Sequence, residues 1–243
     1  MTESYNARLF SDNGMRSWIH NSRFSWFRNA VGFYLAERKR SLRAVELGCF
    51  DGRLLSYFPH EPAEYWGFDA DWEGGLSDAQ RQFDQHPSRR FLKATEPGHL
   101  AMLPDNYFDV AASLETLEHV PPPLVAGYLR QLARITRGYL FVTVPNEKGM
   151  VFLAKHIAKK ISYGGTQKYR VSEVIFATAG MMNRVERNDH KGFNYSSLIN
   201  LIAKEFNILK ISGLPLESMP PWLSPTVTII ARSKDLEAHS FTQ

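Results

Sequence analysis

Two acidic residues and two glycines follow adjacent predicted strands, at the edge where parallel sheets bind ligands. The run Ala44–Leu47 is apolar, and Gly48 and Gly52 come directly after it. Glycine permits a tight turn and lets a ligand approach the backbone. The next predicted strand ends at Asp69, 23 residues after Glu46. A carboxylate at that place can accept both hydroxyls of a ribose, so the pattern predicts a nucleotide-binding edge.

The same turn excludes two common nucleotide sites. No Lys-Ser or Lys-Thr pair follows the glycines, so the turn is not a P-loop. Its G-x-x-x-G spacing also lacks the dinucleotide fingerprint, which disfavours a dehydrogenase. Cys49 and Phe50 lie inside the turn. We expect Cys49 to pack as a small apolar residue there, and not to act as a nucleophile.

A second group of potentially reactive residues follows the fourth predicted strand, Phe108–Leu114. Glu115, Glu118 and His119 form an E-x-x-E-H sequence there, and His190 precedes the last predicted helix. Two interpretations stay open. Carboxylates with imidazoles can hold a divalent cation such as Mg²⁺, which would lower the pKa of a bound hydroxyl. Alternatively, His119 is a general base, because its ordinary pKa lies near neutrality, and His190 contacts the substrate.

Strands alternate with helices through the first part of the chain, which predicts an α/β fold with a parallel sheet. Near the end of the chain, Ile208–Ser212 and Thr226–Ala231 are two further strands. The segment Gly213 to Pro225 is too short for a helical crossover, so these strands should pair antiparallel. The five predicted parallel strands are Ala44–Leu47, Tyr65–Phe68, Arg90–Ala94, Phe108–Leu114 and Tyr139–Val144.

Two helical additions complete a predicted single domain over residues 1–243. An aromatic-rich helix over 15–40 should cap the sheet, and residues 146–190 form a helical insertion before the last helix. Six of the 29 basic residues, but only one of the 25 acidic residues, lie within 146–171. The positive charge of this chain is therefore a local feature of the insertion.

An amphipathic helix is predicted inside the insertion, because apolar residues recur there at helical spacing opposite Lys155, Lys159 and Lys160. One interpretation is a lid whose apolar face packs over the active site. The other is peripheral contact of residues 150–162 with a membrane, where the lysines meet anionic lipid. The apolar positions are Met150, Leu153, Ala154, Ile157, Ala158 and Ile161.

Composition narrows the class of protein further. The 243 residues are 44% hydrophobic and 22% charged, as in ordinary globular proteins. No apolar run reaches the length of a membrane span, and the first residues lack the apolar core of a secretory signal. A single cysteine excludes a disulfide framework and a cysteine-based zinc site. We expect a cytoplasmic protein, with any membrane contact made at the inner face.

Three motifs in order resemble those of class I S-adenosylmethionine-dependent methyltransferases. They are the segment from Glu46 to Gly52, the strand ending at Asp69, and the segment 103–120. The resemblance implies a Rossmann-like, seven-stranded sheet with a reversed last strand. It also implies S-adenosylmethionine as cofactor, with Asp69 on the ribose and Glu46 near the methionine amino group. The cofactor-binding residues that it implies are Glu46, Gly48, Cys49, Phe50, Gly52, Asp69, Ala70, Leu114 and Glu115.

The segment Glu115 to His119, with Asn188 to Tyr195, resembles metal-dependent O-methyltransferases of this class, including those of the ubiquinone pathway. The insertion, with His190 to Tyr195 and Pro220 to Leu223, resembles methyltransferases encoded with polysaccharide genes. Glu115, Glu118, His119 and His190 would then be the metal ligands. The implied reaction is O-methylation of a small-molecule or carrier-linked sugar hydroxyl. Alternatives are a quinone precursor, a lipid-linked acceptor, or a non-catalytic binding module. Nucleic acid is disfavoured, because the positive charge forms no stripe with stacking aromatics.

This chain departs from the family's pattern at two positions. Phe50 replaces the second glycine of the usual loop, which constrains the backbone. The family often places an aspartate after the third strand to bind adenine, but here the sequence from Lys93 to Pro97 offers only Thr95 and Glu96. Ala70 or Trp72 could contact adenine instead.

Overall fold

A seven-stranded sheet forms the centre of the molecule. The computed structural model describes residues 15–36, 42–163, 169–188 and 190–235. The strand order is β3-β2-β1-β4-β5-β7-β6, with β1 to β5 parallel and β7 antiparallel to both neighbours. This topology confirms the predicted sheet and its reversed terminal hairpin. The strands are β1 (Arg43–Leu47), β2 (Glu64–Asp69), β3 (Arg89–Lys93), β4 (Phe108–Leu114), β5 (Thr136–Pro145), β6 (Phe206–Leu214) and β7 (Thr226–Ser233).

Within the described residues, six α-helices lie around the sheet. The helix predicted over 15–40 ends at Tyr34, and residues 37–41 lie outside the described part of the chain. None of the helices within the described ranges combines the length and apolarity that a bilayer span requires. The helices are α1 (Met15–Tyr34), α2 (Leu76–Gln82), α3 (Pro122–Ile135), α4 (Gly149–Tyr163), α5 (Val171–Thr178) and α6 (Tyr195–Glu205).

After β1, the helical spacing of Leu54, Leu55 and Phe58 predicts a longer helix than the structure contains. Residues Arg53–Tyr57 form a 3-10 turn instead of an α-helix. Phe58 ends the turn in an extended conformation, with ψ of 139°. It precedes Pro59, and a residue before proline avoids the α-region for steric reasons. Proline therefore stops the helix before its second turn.

The sheet is covered on both faces. Helices α3 and α6 pack on one face, towards which Val45 and Leu47 point. Helix α1 packs on the other face, with the Phe27 ring 5.0 Å from the Phe58 ring and 5.6 Å from that of Phe141. Because neighbouring residues of a strand point to opposite faces, Glu46 lies on the face of α1. The N-terminal helix is thus part of the core next to the predicted nucleotide site.

The insertion has a small core of its own, separate from the two cores that flank the sheet. Glu173 of α5 connects this core to the loop that carries His190. Its carboxylate accepts hydrogen bonds from the backbone N–H of Arg170 (2.8 Å) and Glu186 (3.3 Å), and pairs with Lys191 (2.9 Å). These bonds, that of Arg170 first, lower the pKa of Glu173 to about 2. The buried residues of this core are Phe152, Ala177, Met182 and Val185.

The lid interpretation of α4 does not fit the structure, whereas the membrane interpretation stays a prediction. Lys155 faces the protein, since it pairs with Glu147 at 2.6 Å and donates to the carbonyl of Asn146 at 3.1 Å. Phe152, between the two faces, is buried. The predicted apolar face therefore does not pack over the active site. Of its six residues, only Leu153 is half-buried, and Met150, Ala154, Ile157, Ala158 and Ile161 are exposed.

Candidate functional site

The turn after β1 requires glycine at position 48 for two reasons. Gly48 has a φ of 85°, in the left-handed region. A Cβ atom there would lie 1.9 Å from Oγ1 and 2.6 Å from Cβ of Thr116. The Gly48 N–H also donates to the Phe68 carbonyl at 2.6 Å. Gly48 therefore lets the segment after β4 approach the turn after β1, and so brings the two groups of predicted site residues together.

Gly48→Ala should destabilise the protein more than Gly74→Ala. Gly74 has nearly the same φ, 75°, but no atom lies within 4 Å of its Cβ position. Left-handed alanine costs about 1–2 kcal/mol at either position, and the clash with Thr116 adds about 1–3 kcal/mol at position 48 alone. Urea unfolding of the two variants measures the difference. Equal losses in the free energy of unfolding would show that the Thr116 side chain moves to make room for the added methyl group.

Asp69 holds the loops on both sides of the nucleotide edge. Its Oδ2 accepts the Phe50 N–H at 2.8 Å, and its Oδ1 accepts the Asp71 N–H at 2.6 Å. Both donors have a left-handed φ, 47° at Phe50 and 63° at Asp71. The carboxylate thus stabilises the conformation that Phe50 adopts in place of glycine. Each oxygen still has a lone pair, which fits a ligand with two neighbouring hydroxyls.

Glu46 lies buried at the end of β1, next to that edge. The Tyr65 hydroxyl donates to its carboxyl group. Burial is the main reason that the pKa of Glu46 is raised to about 8; the Tyr65 hydrogen bond opposes this rise, and the nearby Asp69 and Asp51 contribute to it. The carboxyl group can therefore either donate to or accept from a ligand near neutral pH.

Arg23 of α1 is a candidate site residue that the sequence interpretation missed. Burial lowers the pKa of its guanidinium, while the charges of Glu115, Glu118 and Glu46 act in the opposite direction. A cation therefore faces the carboxylates at the ends of β1 and β4. Arg23 precedes the buried Phe27 by four residues, so it lies on the apolar stripe of α1. A charged residue on such a stripe was the available signal.

The other predicted cofactor residues lie around the same edge. Leu114 is buried at the end of β4, and Glu115 has a left-handed φ of 54°. Cys49 is buried against Gly67, as expected of a packing residue, and burial raises the pKa of its thiol. Ala70 is half-buried. The side chain of Trp72 is 61% exposed, so it is not part of the core.

The backbone conformation and the packing at position 52 explain why this residue is glycine. Gly52 has a φ of 76°, and a Cβ atom there would lie 2.8 Å from the Phe91 ring. Its lack of a side chain is therefore needed for packing against β3. The predicted cofactor contacts of Gly52 and the other turn residues stay predictions.

Three of the four predicted acid–histidine residues come together. The ligand atoms of Glu118, His119 and His190 all lie within 4.8 Å of one another, and Glu115 is outside this group. The two imidazole rings meet edge to face, with centroids 4.4 Å apart. Glu118 is completely buried, and burial raises its pKa well above the usual range. Neither of its carboxyl oxygens has a hydrogen-bond partner among the described residues.

The acidic residues after β1 and β2, the left-handed glycine turn and the reversed β7 define one class of protein. It is the class I S-adenosylmethionine-dependent methyltransferases, and the chain is an enzyme of this class. Residues 19–201 match the family described as Methyltransferase domain, so the chain belongs to that family.

Known proteins of similar sequence or fold are methyltransferases as well. The chain is 25% identical over 190 residues to the ubiquinone biosynthesis O-methyltransferase of Aeromonas salmonicida (strain A449), a match that covers 75% of this chain and 76% of the relative. Magnesium protoporphyrin IX methyltransferase from Synechocystis PCC 6803, solved with bound SAH, has a TM-score of 0.60 at 15% identity, covering 94% and 92% of the two chains. A methyltransferase from Clostridium acetobutylicum ATCC 824 has a TM-score of 0.61 at 10% identity, covering 93% and 97%.

Proposed function

We propose that the enzyme methylates an oxygen atom of a small-molecule or carrier-linked acceptor, with a sugar hydroxyl as the specific candidate. The observation that carries this proposal is the pair of imidazoles, His119 and His190, beyond the carboxyl end of β4. A hydroxyl is a weak nucleophile near pH 7 and must lose its proton during transfer, and an imidazole is suited to take it.

The residues of the chain would share the work as follows. S-adenosylmethionine, when bound, supplies a methyl group on a sulfonium, which is already strongly electrophilic. Asp69 accepts the ribose hydroxyls, and the Arg23 guanidinium binds the methionine carboxylate. His119 would accept the proton that the acceptor hydroxyl loses on methylation. Positioning and proton removal therefore account for catalysis, and no covalent nucleophile is needed.

A quinone precursor is the alternative acceptor, and the name of the Aeromonas relative supports it. Both candidates share a hydroxyl group as the methyl acceptor, and they differ in polarity. A phenolic acceptor ionises more readily than a sugar hydroxyl, so it would depend less on a general base.

Methyl-labelled S-adenosylmethionine, host extract and purified enzyme test this proposal. Partition between organic and aqueous phases separates a lipid-linked or quinone product from a soluble sugar. Mass spectrometry of the labelled product then identifies the methylated atom. An O-methyl ether supports the proposal, whereas label on nitrogen or carbon contradicts it.

A metal ion is a second candidate at the histidine pair, and buried Glu118 favours it. A carboxylate whose oxygens have no hydrogen-bond partner among the described residues is costly to bury. A divalent cation held by Glu118, His119 and His190 would offset this cost and would lower the pKa of an acceptor hydroxyl.

Glu118→Gln distinguishes a protonated, metal-free carboxyl group from a metal-bound carboxylate. Glutamine resembles a protonated carboxyl, so without a metal the variant should keep near wild-type stability and activity. With a metal, it should lose most of its Mn²⁺ affinity in calorimetry, and EDTA should stop turnover by the wild-type enzyme. Full turnover by the wild-type enzyme in excess EDTA would exclude a metal-dependent reaction.

A further inference from the structure

The outer face of α4, defined by Met150, Ala154, Ile157, Ala158 and Ile161, is an apolar stripe that the other described residues leave uncovered. Met150 is 64% exposed, Ile157 48% and Ile161 80%. Their spacing of seven and four residues puts them on one side of the helix. Three large apolar side chains in one exposed row differ from the scattered apolar residues of ordinary surfaces.

The contacts of the opposite face keep this stripe turned outward. Lys155 is bound to both Glu147 and the Asn146 carbonyl, and Phe152 is buried in the small core of the insertion. Rotation of α4 that buried the stripe would break the ion pair and expose Phe152. The stripe is therefore a stable surface feature.

A second apolar element extends this surface. The 3-10 turn Pro221–Leu223 packs against α4, and its Trp222 and Leu223 are 61% and 41% exposed. The Asn146 amide donates to the carbonyls of Pro221 (3.2 Å) and Trp222 (3.4 Å), which attaches the turn to the start of the insertion. An exposed tryptophan beside apolar side chains is suited to the boundary between water and lipid.

All charged side chains of α4 are lysines, so the helix carries positive charge only. Its sequence contains Lys155, Lys159 and Lys160 and no carboxylate, and Lys160 is exposed. A second copy of this chain would fit less well, because a two-fold interface through the outer face would place α4 against α4 and bring the exposed Lys160 of each copy to the same interface. An anionic lipid surface meets both requirements, since it is negative at the surface and apolar beneath.

We propose that the outer face of α4, with Trp222, docks the enzyme on anionic membranes. Met150, Ile157 and Ile161 enter the boundary of the acyl chains, and Lys160 lies at the level of the lipid phosphates. The helix lies in the plane of the interface and does not cross the bilayer. This surface is independent of the identity of the methyl acceptor, but it would bring the active site to a lipid-linked one.

Vesicle flotation of the full chain tests the docking surface. The wild-type protein should float with vesicles of phosphatidylcholine and phosphatidylglycerol in equal amounts, and much less with phosphatidylcholine alone. Ile157→Glu combined with Ile161→Glu should reduce the bound fraction at least about tenfold. The free energy gained by burying one isoleucine side chain is larger than the free energy that corresponds to a tenfold change in affinity.

Leu209→Glu combined with Ile211→Glu is the matched control. These residues are 41% and 36% exposed on β6, the edge strand of the sheet, and the variant carries the same added charge. It should float like the wild type, and both variants should bind S-adenosylhomocysteine normally.

Three results would overturn the proposal of membrane docking. The first is no flotation of the wild type with anionic vesicles, and the second is an equal loss of flotation in the control variant. The third is a wild-type dimer that is dissociated by the substitutions in α4 but not by those of the control. The last would assign the outer face of α4 to a second copy. Flotation requires no turnover, so these results are separate from a failure of the proposed O-methylation.

Discussion

Asp69→Ala should weaken S-adenosylhomocysteine binding by about 100-fold or more. The carboxylate has one free lone pair on each oxygen for the two ribose hydroxyls, and a hydrogen bond to a charged group contributes about 1.5–3 kcal/mol. Two such bonds correspond to at least two factors of ten in affinity. The change also removes the hydrogen bonds from the N–H groups of Phe50 and Asp71, which stabilise the left-handed backbone conformation of these two residues. Calorimetry with S-adenosylhomocysteine measures the loss.

Two controls separate ribose binding from collapse of the loop. Asp51→Ala removes a nearby carboxylate that is bound to Arg53 at 2.8 Å, so it tests the loss of charge alone and should leave affinity near wild type. A 2′-deoxy analogue of S-adenosylhomocysteine tests the contact itself. The wild type should bind the analogue more weakly than the parent ligand, and Asp69→Ala should bind both alike. Discrimination that persists in the variant would assign the ribose to another residue.

The sheet was predictable from the sequence because its signals are local. Four of the five parallel strands contain a short apolar run followed by turn residues, as in Val45–Gly48 and Phe68–Ala70, whereas β3 is mostly basic. The antiparallel hairpin followed from the length of one loop. Asp69 and Gly48 were predicted for the same reason, because ends of parallel strands meet at one edge.

Features set by contacts distant in sequence could not be predicted. Arg23 lies near the carboxyl groups at the ends of β1 and β4 because α1 packs beside them, and its position on the apolar stripe of α1 does not specify these neighbours. The amphipathic pattern of α4 predicts a buried apolar side, yet the ion pair of Lys155 with Glu147 turns the helix the other way. Thr116 explains Gly48 only once β1 and β4 are adjacent.

His119→Ala should reduce kcat by about 100-fold or more, while the affinity for S-adenosylhomocysteine stays unchanged. General bases typically contribute about 10²–10⁴ in rate. His119 lies four residues beyond Glu115, the last of the predicted cofactor residues, so we expect cofactor binding not to depend on it. His190→Ala should show a similar loss, because its ring contacts that of His119. His60→Ala, at an exposed position, is the matched control and should retain full activity.

The residual activity of the two histidine variants distinguishes the possible roles of the pair. If His119 is the base, added imidazole should restore part of the rate, and the rate of the variant should rise with pH as the acceptor loses its proton unaided. If the pair binds a metal, imidazole should have no such effect, and excess Mn²⁺ should restore turnover instead. Full kcat in both variants would exclude either role. The acceptor oxygen would then have to lose its proton to another group, and the half-buried Glu115 next to the end of β4 would be the first residue to replace.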